Sequence, residues 1–241
     1  MKTFARGLSY TAALALCAAW ILVVAIDFMD VGGIGSALAL QESVAYHLFR
    51  EGSVIEMFQW LCLVTAIIIC SFLAARHEEI ADRSSFTFYL LLAVAFAVMV
   101  LEDAGNIRHE FDRWLSFVSP YSYEIATVTL YALLGGVITW ATLKHGRDLL
   151  LADKRAATIY VVAFLAYGLA AVSSATQFLW YGDVGAAISA LAAHDPGGFV
   201  LMDLMYEESL ELIGALLFVL FLSHQFAPST LAKAPAPTNR P

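Results

Sequence analysis

Glu207, Glu208 and Glu211 stand at the start of a long apolar run, with Asp203 one turn ahead of them. On a helix, Asp203, Glu207 and Glu211 fall at i, i+4 and i+8 and form one stripe. Glu211 lies eleven residues past Val200, or about 16 Å along a helix axis at 1.5 Å per residue. That depth is close to the middle of a bilayer. A central acidic residue costs about 2.5–3.5 kcal/mol on an insertion scale, while each Leu returns only about 0.3–0.6 kcal/mol. Such carboxylates must face a bundle interior or a water-filled cavity. Crowded there, they cannot all ionise, so some hold protons or a cation lies between them. The chemistry this permits is proton relay, cation binding or metal-assisted catalysis.

Other polar residues repeat the pattern. Glu102 and Asp103 end a second apolar run, and Glu102, Asn106, His109, Glu110 and Arg113 share one helical face beyond it. Glu56 and Gln59 open a third run one turn apart, with His47 and Glu51 similarly spaced just before. Ser173, Gln177 and Tyr181 are spaced i, i+4, i+8, and Glu124, Thr127 and Tyr131 open a further run. The expected site is therefore Glu56, Glu102, Asp103, Glu207, Glu208 and Glu211. His47 and His109 are candidate metal ligands, and Gln59, Asn106, Gln177 and Tyr181 are supporting polar groups. Carboxylates suit hard divalent cations, and added imidazole moves the preference toward zinc or iron. Glu56 and Glu102 have a plainer reading as markers of the membrane interface, and Gln177 as a helix-bridging amide. No His-Glu-x-x-His, Cys-x-x-Cys, P-loop or Gly-x-Ser-x-Gly occurs.

The elements that must carry these residues follow from composition. Of 241 residues, 61% are hydrophobic and 14% charged, and mean hydropathy is +0.75. Soluble domains are roughly 45–50% apolar and about 25% charged. A formal charge of −8 excludes a nucleic-acid binder, because phosphate backbones are held by Lys and Arg. Apolar runs at Leu8–Ile26, Val54–Ala75, Phe86–Gly105, Tyr121–Leu143, Ala156–Tyr181 and Val200–Leu222 read as spans. In hydrocarbon every backbone polar group must be satisfied internally, so they are helices. A further interfacial helix is expected from Ala37 to Glu51.

Ten of the 13 Lys and Arg fall in the termini and alternate loops, leaving Arg50, Arg108 and Arg113 on the other side. The bias places both termini in the cytoplasm. Five of the 21 acids lie on the basic side and the other sixteen on or near the outer side. Asp27, Asp30, Asp183 and Asp195 are expected to be solvated loop residues, and His77, His145 and His224 to be solvated at the cytoplasmic surface. Cys17, Cys62 and Cys70 lie inside apolar runs, where they read as small lipid- or core-facing residues. Lys2 and Arg6 ahead of the first run resemble a signal peptide, but the run is long enough to span and is read as uncleaved.

The stretch Arg50-Glu51-Gly52-Ser53-Val54-Ile55-Glu56 resembles the span starts of uncharacterised bacterial multispanning inner-membrane proteins, in which an acidic-Gly pair precedes a Glu. Their usual form has a second acid where this chain has only Glu51-Gly52. Glu102-Asp103 and Glu207-Glu208-x-x-Glu211 are similar to acidic positions in the same proteins. The resemblance implies a bacterial inner-membrane location and no particular activity. The expected architecture is an all-α polytopic bundle of about six spans over residues 1–226, with a disordered cytoplasmic tail over 227–241. Its leading function is to bind or conduct a proton or a divalent metal ion through an outward-facing acidic cavity. A metal-dependent hydrolase or transferase acting on a lipid, and a non-catalytic subunit of a membrane complex or homo-oligomer, are the alternatives.

Overall fold

The computed structural model describes residues 2–35, 43–50, 52–105, 122–193 and 200–226. Every element there is helical, and no strand occurs among the described residues. Helix α1 is Lys2–Val23, extended by a π-helical turn Val24–Phe28. A short α2, Val44–Phe49, lies within the expected interfacial helix. Then come α3 (Val54–Glu79), α4 (Arg83–Gly105), α5 (Ser122–Ala141), α6 (Arg147–Ala152), α7 (Lys154–Ala175) and α8 (Gln177–Ser189). A π-helical segment Val200–Glu207 leads into α9, Glu208–Gln225.

Helix ends are written locally. Ser53 caps α3 by accepting the Glu56 N–H at 3.3 Å. Asp82 caps α4 through the Ser85 N–H at 3.2 Å. Asp153 caps α7 through the Arg155 and Ala156 N–H groups at 3.0 and 3.1 Å. A side-chain acceptor at this position satisfies donors the helix leaves open. Ala81, with φ of 58°, turns the chain tightly enough for α3 and α4 to form an antiparallel hairpin.

The bundle is assembled around α9, which packs against α1, α3 and α7. Helix α4 lines the other side of α3, and α5 bridges from α4 toward α7. Small buried residues (Ala12, Ala19, Cys62, Ala66, Cys70, Ala163, Ala215) permit close helix approach, as in membrane bundles. The centre is aromatic: Phe96 and Phe218 lie 4.9 Å apart between ring centroids, as do Tyr160 and Phe221. The outward faces are apolar too. Leu14 on α1 is 70% exposed, Leu133 on α5 64% and Leu165 on α7 62%. Contiguous apolar exposure of this kind marks contact with lipid rather than water. Four stretches, Arg6–Phe28, Val44–Glu79, Arg83–Gly105 and Lys154–Ser174, are long and apolar enough to cross a membrane.

The structure corrects several expectations. The fifth apolar run is not one helix to Tyr181. Thr176, at φ −114° and ψ 10°, breaks it, and its hydroxyl donates back to the Val172 carbonyl at 2.7 Å. Ser173, Gln177 and Tyr181 therefore do not form one continuous stripe, because Gln177 and Tyr181 belong to α8. Hydroxyl back-bonding of this kind competes with the helical ladder. The stripe Asp203, Glu207, Glu211 crosses from π-helical to α-helical winding, so α spacing does not describe it. Asp27 is not a solvated loop acid. It is buried, and its two carboxylate oxygens accept the Val44 and Ala45 N–H groups at 3.0 and 2.8 Å, tying α2 to the end of α1. His77 is largely sheltered, with Nδ1 3.1 Å from Asp82 Oδ2 and its ring against Tyr89. Cys62 and Cys70 are buried in the bundle, whereas Cys17 is exposed on its outer surface. The tail 227–241 lies outside the described residues.

Candidate functional site

Gln59 sits about one and a half turns into α3, far enough from the Ser53 cap to be within the bundle and fully buried. Its Nε2 donates to Asp103 Oδ2 at 2.6 Å and to Glu211 Oε2 at 2.7 Å. One side-chain amide thus ties α3, α4 and α9 together and uses both of its donors on carboxyl groups. Glu102 and Glu211 are buried. Glu102 lies within hydrogen-bond reach of the Asp103 carboxyl, and Glu208 and Glu211 are within electrostatic reach of it. Among the described residues, the charges bearing on Asp103 are all carboxylates.

Helix α7 contributes a residue that spacing alone does not single out. The ring of Tyr167 lies directly over Gly214 of α9. A Cβ at Gly214 would stand 2.4 Å from Tyr167 Cδ2, so only glycine admits the ring there. The Tyr167 hydroxyl and Gln59 Oε1 are both buried, and the Gln59 side chain lies within hydrogen-bond reach of that hydroxyl. Asp103, Glu211 and Glu208 all lie within electrostatic reach of that hydroxyl. Tyr167 thus joins the carboxyl cluster through Gln59, in keeping with the rule that buried polar groups nearly always find partners. The sequence signal for this contact is Gly214 itself, an isolated glycine in an apolar helix.

Beside the cluster is a cavity of about 90 Å³ between α4, α5, α7 and α9. Glu102, Asp103, Glu211, Tyr131 and Tyr167 line its polar part, and Leu134, Ile138 and Phe164 are among its apolar walls.

The expected site residues divide into groups. Gln59, Glu102, Asp103, Glu208 and Glu211 come together. Glu207 is buried at the junction of the π segment and α9. Glu56 is buried as well, but its carboxylate accepts the Gly52 N–H while its own N–H bonds Ser53. This is a variant of the capping box, in which a Ser cap and a Glu three residues later satisfy donors at the helix start. Gly52, at φ 75°, supplies the left-handed turn that aims its N–H at Glu56. The Gly-x-x-x-Glu signature is thus explained as a helix start. His47 is exposed on α2 with its ring edge-on to Tyr46 at 5.8 Å. Asn106 and His109 lie outside the described residues, as do the side chains of Asp203, Gln177 and Tyr181.

Among the described residues, no group of three or more His, Cys, Asp or Glu side chains is arranged to hold a metal ion. The arrangement can instead share protons. Two carboxyl groups within hydrogen-bond reach need a proton between them, and Gln59 holds a third carboxyl in register. No family model, characterised protein or solved structure matches this chain.

Proposed function

We propose that this protein is a multispanning membrane protein that binds a cation, a proton in the first instance, at the Gln59–Glu102–Asp103–Glu211 cluster. The observation that carries the reading is the position of Asp103. It is bonded to a neutral amide and surrounded by carboxyl groups from two helices. Protonation is the least demanding way to relieve such crowding in a low-dielectric interior. Intramembrane acids facing a bundle interior are the usual material of proton relays. The Lys and Arg distribution supports a location in the bacterial inner membrane with both termini cytoplasmic and about six spans, the cluster lying toward the outer side.

The test is infrared difference spectroscopy of the full-length protein in lipid nanodiscs, titrated between pH 5 and 8, in the carbonyl-stretch region of protonated carboxyl groups. A buried protonated-carboxyl band present at pH 7 and lost in Asp103→Asn is the expected result. Asp103→Asn should insert and fold at least as well as the parent, because an amide lowers insertion cost and removes repulsion. A band-free spectrum, together with a melting temperature that rises only with Mg²⁺, Ca²⁺, Mn²⁺ or Zn²⁺, would favour a divalent metal ion over the proton.

A further inference from the structure

At the end of the bundle where α3 turns into α4, three elements bring their cations to one region. Arg83 opens α4, Lys154 and Arg155 open α7, and Lys144 and Arg147 lie on the connection between α5 and α7. That connection is held against α4. Gly146 sits beneath the Phe88 ring, and Ser84 Oγ lies 3.4 Å from His145 Nδ1. All five cations are exposed, and among the described residues none of them forms an ion pair. Residues 142–155 hold two acids, Asp148 and Asp153. Asp153 is committed to the Arg155 and Ala156 N–H groups, so it does not neutralise the cations beside it.

Large apolar side chains are exposed among these charges. Leu143 is 67% exposed and Leu151 66%, and Trp140 is exposed as well. The Lys144 ammonium stands 4.8 Å from the Trp140 ring centroid, and the His145 ring packs at a steep angle to the indole at 5.2 Å. Indole rings with a cation alongside suit the boundary between hydrocarbon and headgroups. Arg83 and Lys154 begin two of the stretches long and apolar enough to cross a membrane, which sets the patch at that boundary. Facing water, Leu143 and Leu151 would be left uncovered. Facing a lipid surface, the leucines are buried and the cations meet phosphate in one step. Basic residues immediately outside a span attract anionic headgroups. From this geometry we infer that the connection between α5 and α7, together with Arg83, is a binding surface for anionic phospholipid. Lys144 and Arg147 hold the headgroup phosphate, and the acyl chains lie beside Leu143 and Leu151. The inference is independent of the carboxyl cluster and requires only that the bundle span a bilayer.

The experiment is photolabelling of the full-length protein in phosphatidylcholine nanodiscs that contain a minor share of phosphatidylglycerol carrying a diazirine in its acyl chain, mapped by mass spectrometry. Label should concentrate on the peptides holding Leu143 and Leu151. Added unlabelled phosphatidylglycerol should compete about fivefold better than added phosphatidylcholine, and about 1 M salt should remove that advantage. Lys144→Gln with Arg147→Gln should lower labelling of these peptides about fivefold. Lys144→Arg with Arg147→Lys should keep it, because only the first pair removes charge. Lys144→Gln alone provides a second variant if the double substitution does not accumulate. Equal competition by phosphatidylcholine, or labelling unchanged in the glutamine variants, overturns the choice of an anionic lipid. Equal competition by soluble glycerol phosphate overturns lipid as the source of the phosphate. Label spread evenly over all outward faces overturns this surface as the site. Failure of the labelling with the Asp103-dependent infrared band intact removes this inference and leaves the proton reading standing. Selective labelling in a band-free protein does the reverse.

Discussion

The two ends of the bundle handle charge in opposite ways. At the end where α3 turns into α4, polar residues are matched singly and stay close to water. Asp82 meets His77 and the Ser85 N–H, and Ser84 Oγ lies 3.4 Å from His145. The Lys144 ammonium lies 4.8 Å from the Trp140 ring centroid. At the other end, Gln59, Glu102, Asp103 and Glu211 are gathered in one buried group. The first arrangement serves helix ends and turns. The second ties three helices together through Gln59 while keeping carboxyl groups in an apolar interior, where ionised groups are costly.

The comparison breaks most sharply at Gln59. Gln59→Leu removes both donors and leaves Asp103 and Glu211 facing apolar carbon. The expected loss is about 1.5–3 kcal/mol, the range for hydrogen bonds to charged groups, read as a lower unfolding midpoint in detergent. A loss below about 0.5 kcal/mol would mean that surface-like matching holds at both ends.

Each end also has a glycine under an aromatic ring. Gly214 lies beneath Tyr167 and Gly146 beneath Phe88, where an added Cβ would meet Phe88 Cε2 at 2.6 Å. Gly214→Ala and Gly146→Ala should each cost about 1–3 kcal/mol, the usual range for overpacking. Only Gly214→Ala should also change the carboxyl band, because it displaces the Tyr167 hydroxyl. Paired thermal and infrared measurements on the two variants separate packing from site geometry.

The smallest effect belongs to Asp82. Burial pushes its carboxyl up, but hydrogen bonds from Ser85 and the neighbouring His77 outweigh this and hold it below its ordinary value. A depressed carboxylate contributes stability above its unfolded value of about 3.9, lost as the pH falls through the lower folded value. Asp82→Asn should therefore flatten the acid side of the stability profile below about pH 4. At neutral pH it should cost less than about 1 kcal/mol, as expected for a partly exposed pair. Thermal melts from pH 3 to 7 in detergent check both.

How much of this was legible in the sequence depends on the range of each interaction. Glu102, Asp103, Gln59 and Glu211 were readable because a polar side chain at span depth has few places to point. The helical character of the apolar runs followed for the same reason. Glu56 shares its depth with the site residues, while Ser53-x-x-Glu56 also carries the spacing of a capping box. Asp27 was misread because its partners lie 17 and 18 residues away in sequence, beyond any local pattern. The break at Thr176 depends on a hydroxyl choosing its own helix over solvent. Tyr167 could not be found from its own helix, since its position is set by the absence of a side chain at Gly214.

The π-helical winding of Val200–Glu207 gives the chain an adjustable rotor. Residues in this segment turn through less angle per step than the 100° of an α-helix. Deleting one residue there and rewinding the segment as α-helix would sweep nearly the same total angle in one residue fewer, leaving Glu208–Gln225 in place while side chains within the segment shift by one position. A change of length, rather than of residue type, would then decide which side chains ahead of Glu211 face the cluster.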